Sequence, residues 1–344
     1  MDQDMEKPAA APRPASLFRR RDALLSSAMT RLFLLTLLIF VVMAALDPSR
    51  FLTLGNFSSM AFQFPEFAIL SLAMMLSMMT GGIDLSIVGI SNLSAVVAAL
   101  LLSSLAGPDA TGLAAAGTVG LAIMAALLVG GICGLLNGLM IGIFGLPPIL
   151  ATLGSGLVFT GVAVAITGGS AVLGFPAAFA FLGNGAVFGL PVPLIVFVAI
   201  AATVWLVLER TALGLRIQML GTNPLAARFA GIDDLAVTVR TYLLSGLFSA
   251  AAGLVIMSRA NSAKADYGSS YLLLSILICV LGGINPYGGF GRVAGLVLAV
   301  LSLQFLSSGL NMLQVSNFAK DLIWGGLLLA VMVANGIQFG RKSR

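Results

Sequence analysis

The sequence predicts an all-α, polytopic membrane protein with about ten transmembrane helices, on three observations. Of its 344 residues, 59% are hydrophobic and only 9% are charged, where soluble domains carry about 25% charge. The mean hydropathy is +1.07, so lipid rather than water must cover most of the surface. The apolar residues fall in runs close to the ~20 residues that a helix needs to cross a bilayer core, with Gly, Pro and charge between the runs. The shortage of charge extends along the whole chain, which therefore reads as a single membrane domain over 31–340.

Residues 1–30 are polar and rich in Pro, Ala and charge, without the short apolar core and small-residue cleavage site of a signal peptide. A disordered cytoplasmic tail is expected there. The candidate spans follow at 31–46, 57–79, 85–106, 113–144, 147–168, 191–208, 237–258, 270–284, 291–309 and 318–339. Lys and Arg are retained on the cytoplasmic side, so their distribution tests this order. With the N-terminus inside, Lys7, Arg13, Arg19, Arg20, Arg21, Arg31, Arg210, Arg216, Arg228, Arg240, Arg292, Arg341, Lys342 and Arg344 fall inside. Arg50, Arg259, Lys264 and Lys320 fall outside. Both termini are thus expected in the cytoplasm.

Several functions are excluded early. The basic balance, with a net charge of +5, comes from arginines dispersed between apolar runs, which form no nucleic-acid face. Cys133 and Cys279 lie inside apolar segments as small hydrophobes. The chain has no histidine, which removes the usual zinc ligand and the commonest general base. No metal or cofactor is indicated, and no nucleophile and base pair suggests an enzyme.

The longest charged internal segment, 209–240, reads as a structured cytoplasmic loop. Asn223 and Pro224 can start a helix, Leu225, Ala226, Ala227 and Arg228 continue it, and Gly231 ends it. That makes a short helix along the membrane, with small residues that let a partner approach.

Four segments carry a resemblance: Thr80-Gly-Gly-Ile-Asp-Leu-Ser86, Gly134-Leu-Leu-Asn-Gly138 with Pro147-Pro-Ile-Leu-Ala-Thr-Leu-Gly154, Gly221-Thr-Asn-Pro-Leu-Ala-Ala-Arg-Phe-Ala-Gly231-Ile232, and Leu281-Gly-Gly-Ile-Asn-Pro-Tyr-Gly-Gly-Phe-Gly-Arg292. In this order, and over about residues 57–340, they resemble the permease of the ribose and galactose type of bacterial ABC importer, the binding-protein-dependent transport system inner membrane component family. The resemblance implies a type II ABC importer permease fold in the bacterial inner membrane and a path for a sugar or sugar-like small polar solute. It also implies partners: cytoplasmic ATPase subunits, a second permease copy or a related permease, and a periplasmic or lipid-anchored solute-binding protein that supplies most of the selection. Gly221, Asn223, Ala226, Ala227, Arg228, Gly231 and Ile232 would form the segment that docks on the ATPase.

Five polar residues inside the apolar segments could touch the solute: Glu66, Asp84, Asn92, Asn137 and Asn311. An acid at membrane depth costs about 2.5 to 3.5 kcal/mol on insertion scales and tends to mark a function. Asp84 can also simply cap the third span through the amides of Ser86 or Ile87, and the two roles are compatible. Glu66 follows Pro65, which can kink its span, and an interhelical hydrogen bond competes with a pathway role there. The three asparagines can equally join helices. Gly130, Gly134, Gly138 and Gly142 lay a smooth strip along the fourth span, suited to close packing.

The chain has no G-x-x-x-x-G-K-[ST] loop to cradle phosphates, so ATP would be hydrolysed by a separate subunit. The Leu244-Ser-Gly246 triplet resembles the start of an ABC signature, but it continues as Leu-Phe inside an apolar span. The rival from another class is an ion-coupled secondary transporter or channel. Such a protein usually carries acids or histidines in several helices, and here the candidates reduce to Glu66, Asp84 and Asp321.

Overall fold

A computed structural model of the protein describes residues 28–107 and 110–342. The expected tail lies outside them up to residue 27. Its last three positions are helical, because nothing in Ala28–Thr30 stops the helix that the following apolar run propagates.

In chain order the elements are α1 (Ala28–Leu46), α2 (Pro48–Phe51), α3 (Leu54–Gln63), α4 (Pro65–Met79), α5 (Ile87–Leu105), α6 (Gly112–Gly142), α7 (Pro148–Thr167), β1 (Val172–Leu173), α8 (Ala177–Asn184), β2 (Ala186–Val187), β3 (Leu190–Pro191) and α9 (Val192–Arg210). The second half continues with α10 (Ala212–Thr222), α11 (Pro224–Phe229), α12 (Asp234–Ala260), β4 (Ser262–Ala263), α13 (Tyr271–Leu281), α14 (Val293–Met312) and α15 (Asn317–Lys342). Two small antiparallel ribbons, β1 with β4 and β2 with β3, lie in connections between helices.

Among the described residues seven helices are long and apolar enough to cross a membrane, and eight if the bent pair of α3 and α4 is one span. The bend is 41° and falls where Pro65 lacks the N–H that would continue the helix. Of the ten expected spans, 318–339 lies within α15. The span expected at 270–284 needs correction. It is the 11-residue helix α13, about 16 Å long at 1.5 Å per residue, roughly half of a ~30 Å bilayer core. Gly282 and Gly283 end it, Gly283 with φ of +80°.

At the centre stands α4, all of whose residues are buried. Around it pack α9, α12, α13 and α14, so its Met- and Leu-rich surface meets protein on every side. The outer helices show the inverse of soluble amphipathicity. On α7 the buried positions are Ala151, Thr152, Ser155, Gly156, Phe159 and Ala163, while Leu150, Leu157 and Val158 are exposed. Small and hydroxylated residues face the protein because in lipid it is close backbone approach, not apolarity, that favours helix pairing.

The glycine strip does pack. On α6, a Cβ at Gly134 would lie 2.2 Å from the Tyr242 carbonyl oxygen of α12, and one at Gly130 would lie 2.5 Å from Gly246 O. In return, a Cβ on Gly246 would meet Gly130 O at 2.1 Å. The two backbones touch.

Cross-connections sort the loops to two ends. At one end the Gly289 amide donates to Met79 O at 3.0 Å, and Thr152 Oγ1 joins Ile83 and Leu85. At the other, Arg259 Nη1 donates to Phe62 O, Ser258 Oγ to Phe179 O, and Ser308 Oγ to Asn56 Oδ1. They are called here the Gly81 end and the Arg259 end.

Candidate functional site

The Gly81 end is built around the segment 80–86. Asp84 is fully buried. Its Oδ1 accepts from the Ser86 amide at 3.0 Å and from Ser86 Oγ at 2.6 Å. The expected local hydrogen bond is therefore present, although Ser86 occupies the cap position of α5. Its Oδ2 accepts from Ser245 Oγ of α12 at 2.8 Å, a partner 161 residues away that local sequence could not disclose. Asn137 of α6 donates to Ser86 Oγ at 2.7 Å. Thr152 of α7 accepts from the Leu85 amide at 3.0 Å and lies 3.0 Å from Ile83 O. A buried carboxylate is thus held by hydroxyls and amides contributed by the loop and α12, in a cradle completed by α6 and α7. The Gly81–Ser86, Asn137–Gly138 and Pro147–Gly154 motifs are parts of this one structure.

The late glycine turn closes onto the same end. A Cβ on Gly288 would lie 2.6 Å from Gly221 O and 2.8 Å from the Gly81 amide nitrogen, and one on Gly289 would lie 2.3 Å from Thr222 Oγ1. A Cβ on Gly221 would sit 2.0 Å from Met79 O and 2.5 Å from the Gly289 amide nitrogen. Three chain segments, at 79–82, 221–222 and 288–289, therefore approach backbone on backbone, with the Thr222 hydroxyl against Gly289 as the side-chain contact among them. Gly288 and Gly289 have φ of +97° and +84°, in the region that glycine alone enters freely. This junction joins the C-terminal end of the buried α4 to the last residues of α10.

From the junction the chain runs into α11. Asn223 caps it, its Oδ1 accepting from the Ala226 amide at 3.0 Å, Pro224 occupies the first turn, and Gly231 ends it with φ of +77°. The Ile232 amide donates to Ala227 O at 3.0 Å, and Arg228 pairs with Asp234. The expected helix is present, but its face needs qualifying. Gly221 is buried in the junction and Ala227 is 1% exposed against this chain's own core, whereas Ala226, Arg228 and Gly231 are exposed. The large exposed groups are Leu225 and Phe229, the latter 86% exposed. In the sequence Leu225 stands out only as a helix former, and Phe229 only as part of the resembling segment. The signal was available, since Phe229 is an aromatic in a polar loop, where lipid gives it no reason to be outside.

Toward the Arg259 end, a cavity of about 390 Å³ opens where the α3–α4 span bends. Glu66 lines it, held by Arg259 Nε at 3.2 Å and by the Tyr271 hydroxyl at 2.7 Å. Among the five polar residues singled out by sequence, Glu66 alone lines this cavity. Asn311 accepts from Lys320, which lines it. Asn92 donates to Ala265 O and Tyr267 O, both at 2.9 Å, and ties α5 to the connection before α13. The five do not form one cluster. Asp84 and Asn137 meet at Ser86, Glu66 lies at the cavity that Asn311 reaches through Lys320, and Asn92 bonds to the connection before α13.

Comparisons with known proteins agree with one another. A family model described as the permease component of the branched-chain amino acid transport system matches residues 56–332. The autoinducer 2 import system permease protein LsrD of Yersinia enterocolitica is 32% identical over 302 residues, covering 86% of this chain and 88% of the relative. The protein of the same name from Escherichia coli is 33% identical over 308 residues, covering 88% and 90%. No solved structure matches significantly.

Proposed function

Because the chain belongs to the permease component family of the branched-chain amino acid transport system and its relatives, and is thereby a multi-pass permease of an ABC importer, we propose that it forms the path for autoinducer 2 or a chemically similar sugar-like solute across a bacterial inner membrane. The relatives' names support the solute. The proposed topology has both termini in the cytoplasm, so the Gly81 end faces inward and the Arg259 end outward. Its partners are cytoplasmic ATPase subunits, a second permease copy or related permease, and a periplasmic or lipid-anchored binding protein.

The observation that carries this reading is the junction at the Gly81 end. ATP-driven closure of the ATPase pair would displace α11, and the displacement would pass through the Gly221, Gly288 and Gly81 backbones to α4, the helix at the centre of the bundle. Contacts between backbones transmit movement with little loss, because no side-chain rotamer can absorb it. Phe229, and Tyr287 of the late turn at 85% exposure, give the ATPase exposed aromatic groups to grip. Residues 209–240 serve as the coupling loop of a single permease domain spanning 31–340. Asp84 and Asn137 hold the loop that the junction moves, and Glu66, Asn92 and Asn311 shape the outer path.

The test is purification of the tagged chain in mild detergent with identification of the proteins that accompany it. A copurifying subunit with Walker motifs, lost in Phe229→Glu while the permease stays folded, supports the reading. Uptake by the purified chain alone, unresponsive to ATP and driven by an ion gradient, contradicts it.

A further inference from the structure

We propose that the 390 Å³ cavity at the α3–α4 bend is a binding vestibule selective for uncharged, polyhydroxylated solutes, with Gln304 as its hydrogen-bonding anchor and Trp324 as its stacking surface. The proposal rests on the importer reading, and adds a site and a chemical rule to it. The volume lies within the range of about 300–1,000 Å³ common to small-molecule sites.

Gln304 is the group that points to a ligand. It is 2% exposed, it lines the cavity, and its Nε2 has no acceptor among the described residues. A buried amide left unpaired is costly, and a hydroxyl or ring oxygen of a solute in the cavity would satisfy it. Trp324, 9% exposed, and Tyr271 also line the space, and flat rings of this kind receive the apolar face of a sugar-like ring. The apolar remainder includes Phe67 and Leu303.

Charge decides the class. The lining holds two acids, Glu66 and Asp321, and two bases, Arg259 and Lys320, so its formal charge is zero. The most deeply placed charges are already engaged: Glu66 with Arg259 and Tyr271, and Lys320 with Asn311. An anionic solute would enter without a spare cation to meet it. An amino-acid zwitterion would have to break the Glu66–Arg259 pair, and each charge it left buried and unpaired would be penalised. A neutral polyol asks only for hydrogen bonds, which Gln304 and the outward edges of the paired charges supply.

Two tryptophans are present, Trp205 and Trp324, so Trp205→Phe leaves Trp324 as the sole reporter. The full-length variant, in lipid nanodiscs, is titrated in borate-free buffer, where autoinducer 2 carries no borate charge, with autoinducer 2, D-ribose, D-ribonate and L-leucine while Trp324 emission is followed. Saturable changes are expected with the two neutral solutes and not with ribonate or leucine. Gln304→Met should raise half-saturation about two- to tenfold, the effect of one lost hydrogen bond. Glu66→Gln, which keeps an acceptor for Tyr271 but leaves the lining at +1, should admit ribonate. A fold defect would not create that new specificity. No response to either neutral solute, an equal response to ribonate in the unaltered cavity, or an unchanged Gln304→Met titration overturns the proposal. ATP-dependent uptake of autoinducer 2 by the complex with its partner subunits is measured in parallel. Uptake that persists while the Trp324 response fails overturns the vestibule alone, and absence of uptake overturns the importer reading.

Discussion

Asp84 shows how a single acid is tolerated at depth. Three donors meet its carboxylate, two from Ser86 and one from Ser245, and together they substitute for the water it loses. Asp84→Ala removes the acceptor and strands the buried Ser245 and Ser86 hydroxyls. A loss of about 1–3 kcal/mol is expected for each buried donor left unpaired, read as a lower melting temperature in detergent, with a smaller loss for Asp84→Asn, which keeps one acceptor oxygen. The glycine strip makes a second residue-scale prediction. Gly134→Leu cannot be accommodated, since even a Cβ would approach Tyr242 O to 2.2 Å, whereas nothing lies within 4 Å of a Cβ on Gly161. Thermal unfolding should drop sharply for Gly134→Leu and stay near wild type for Gly161→Leu. At this scale much was legible from the sequence. The four-residue spacing identified the packing strip, and Pro65 identified the bend. Asp84's partner on α12 was not, because a hydrogen bond across 161 positions leaves no trace in local pattern.

At the scale of elements, α11 was readable to within a residue, because capping by Asn223, the first-turn Pro224 and the terminating Gly231 are local devices. Which of its faces is free was not readable. Periodicity over six residues is too short to mark a buried side, and Ala227 turned out to be packed while Phe229 is exposed. The length of α13 was also misjudged, because an apolar run bounded by glycines reads the same whether it completes a span or begins halfway through the bilayer. The connection before it is held by Asn92 through the carbonyls of Ala265 and Tyr267. The exposed Phe229 gives the element-scale prediction already stated: Phe229→Glu releases the ATPase without unfolding the permease, seen as loss of the copurifying subunit from a chain that still elutes as a single species.

At the scale of the whole molecule, the four resembling segments are not four sites. Two converge on the Asp84 cradle, two close the glycine junction beside it, and the segment at 80–86 belongs to both. A helix buried on every side, α4, links this end to the polar cavity at the Arg259 end, with Met79 in the junction and Glu66 in the cavity lining. Those two residues are 13 positions apart, about 20 Å along a helix. On the proposed importer reading, movement applied at α11 would reach the cavity through one rigid element, which is what coupling would consist of physically. The all-helical membrane fold was legible from composition, but the junction was not. Close backbone contact between distant glycines requires the tertiary arrangement to be known.

The most direct test of that coupling is the simultaneous measurement of ATP hydrolysis and autoinducer 2 uptake by the assembled importer in proteoliposomes, for the wild type and for Gly221→Val. The variant is expected still to bind its ATPase through Leu225 and Phe229 and still to hydrolyse ATP, while uptake per ATP falls severalfold because the junction no longer closes on Met79 and Gly289. Undiminished uptake per ATP in a folded Gly221→Val complex would contradict that coupling.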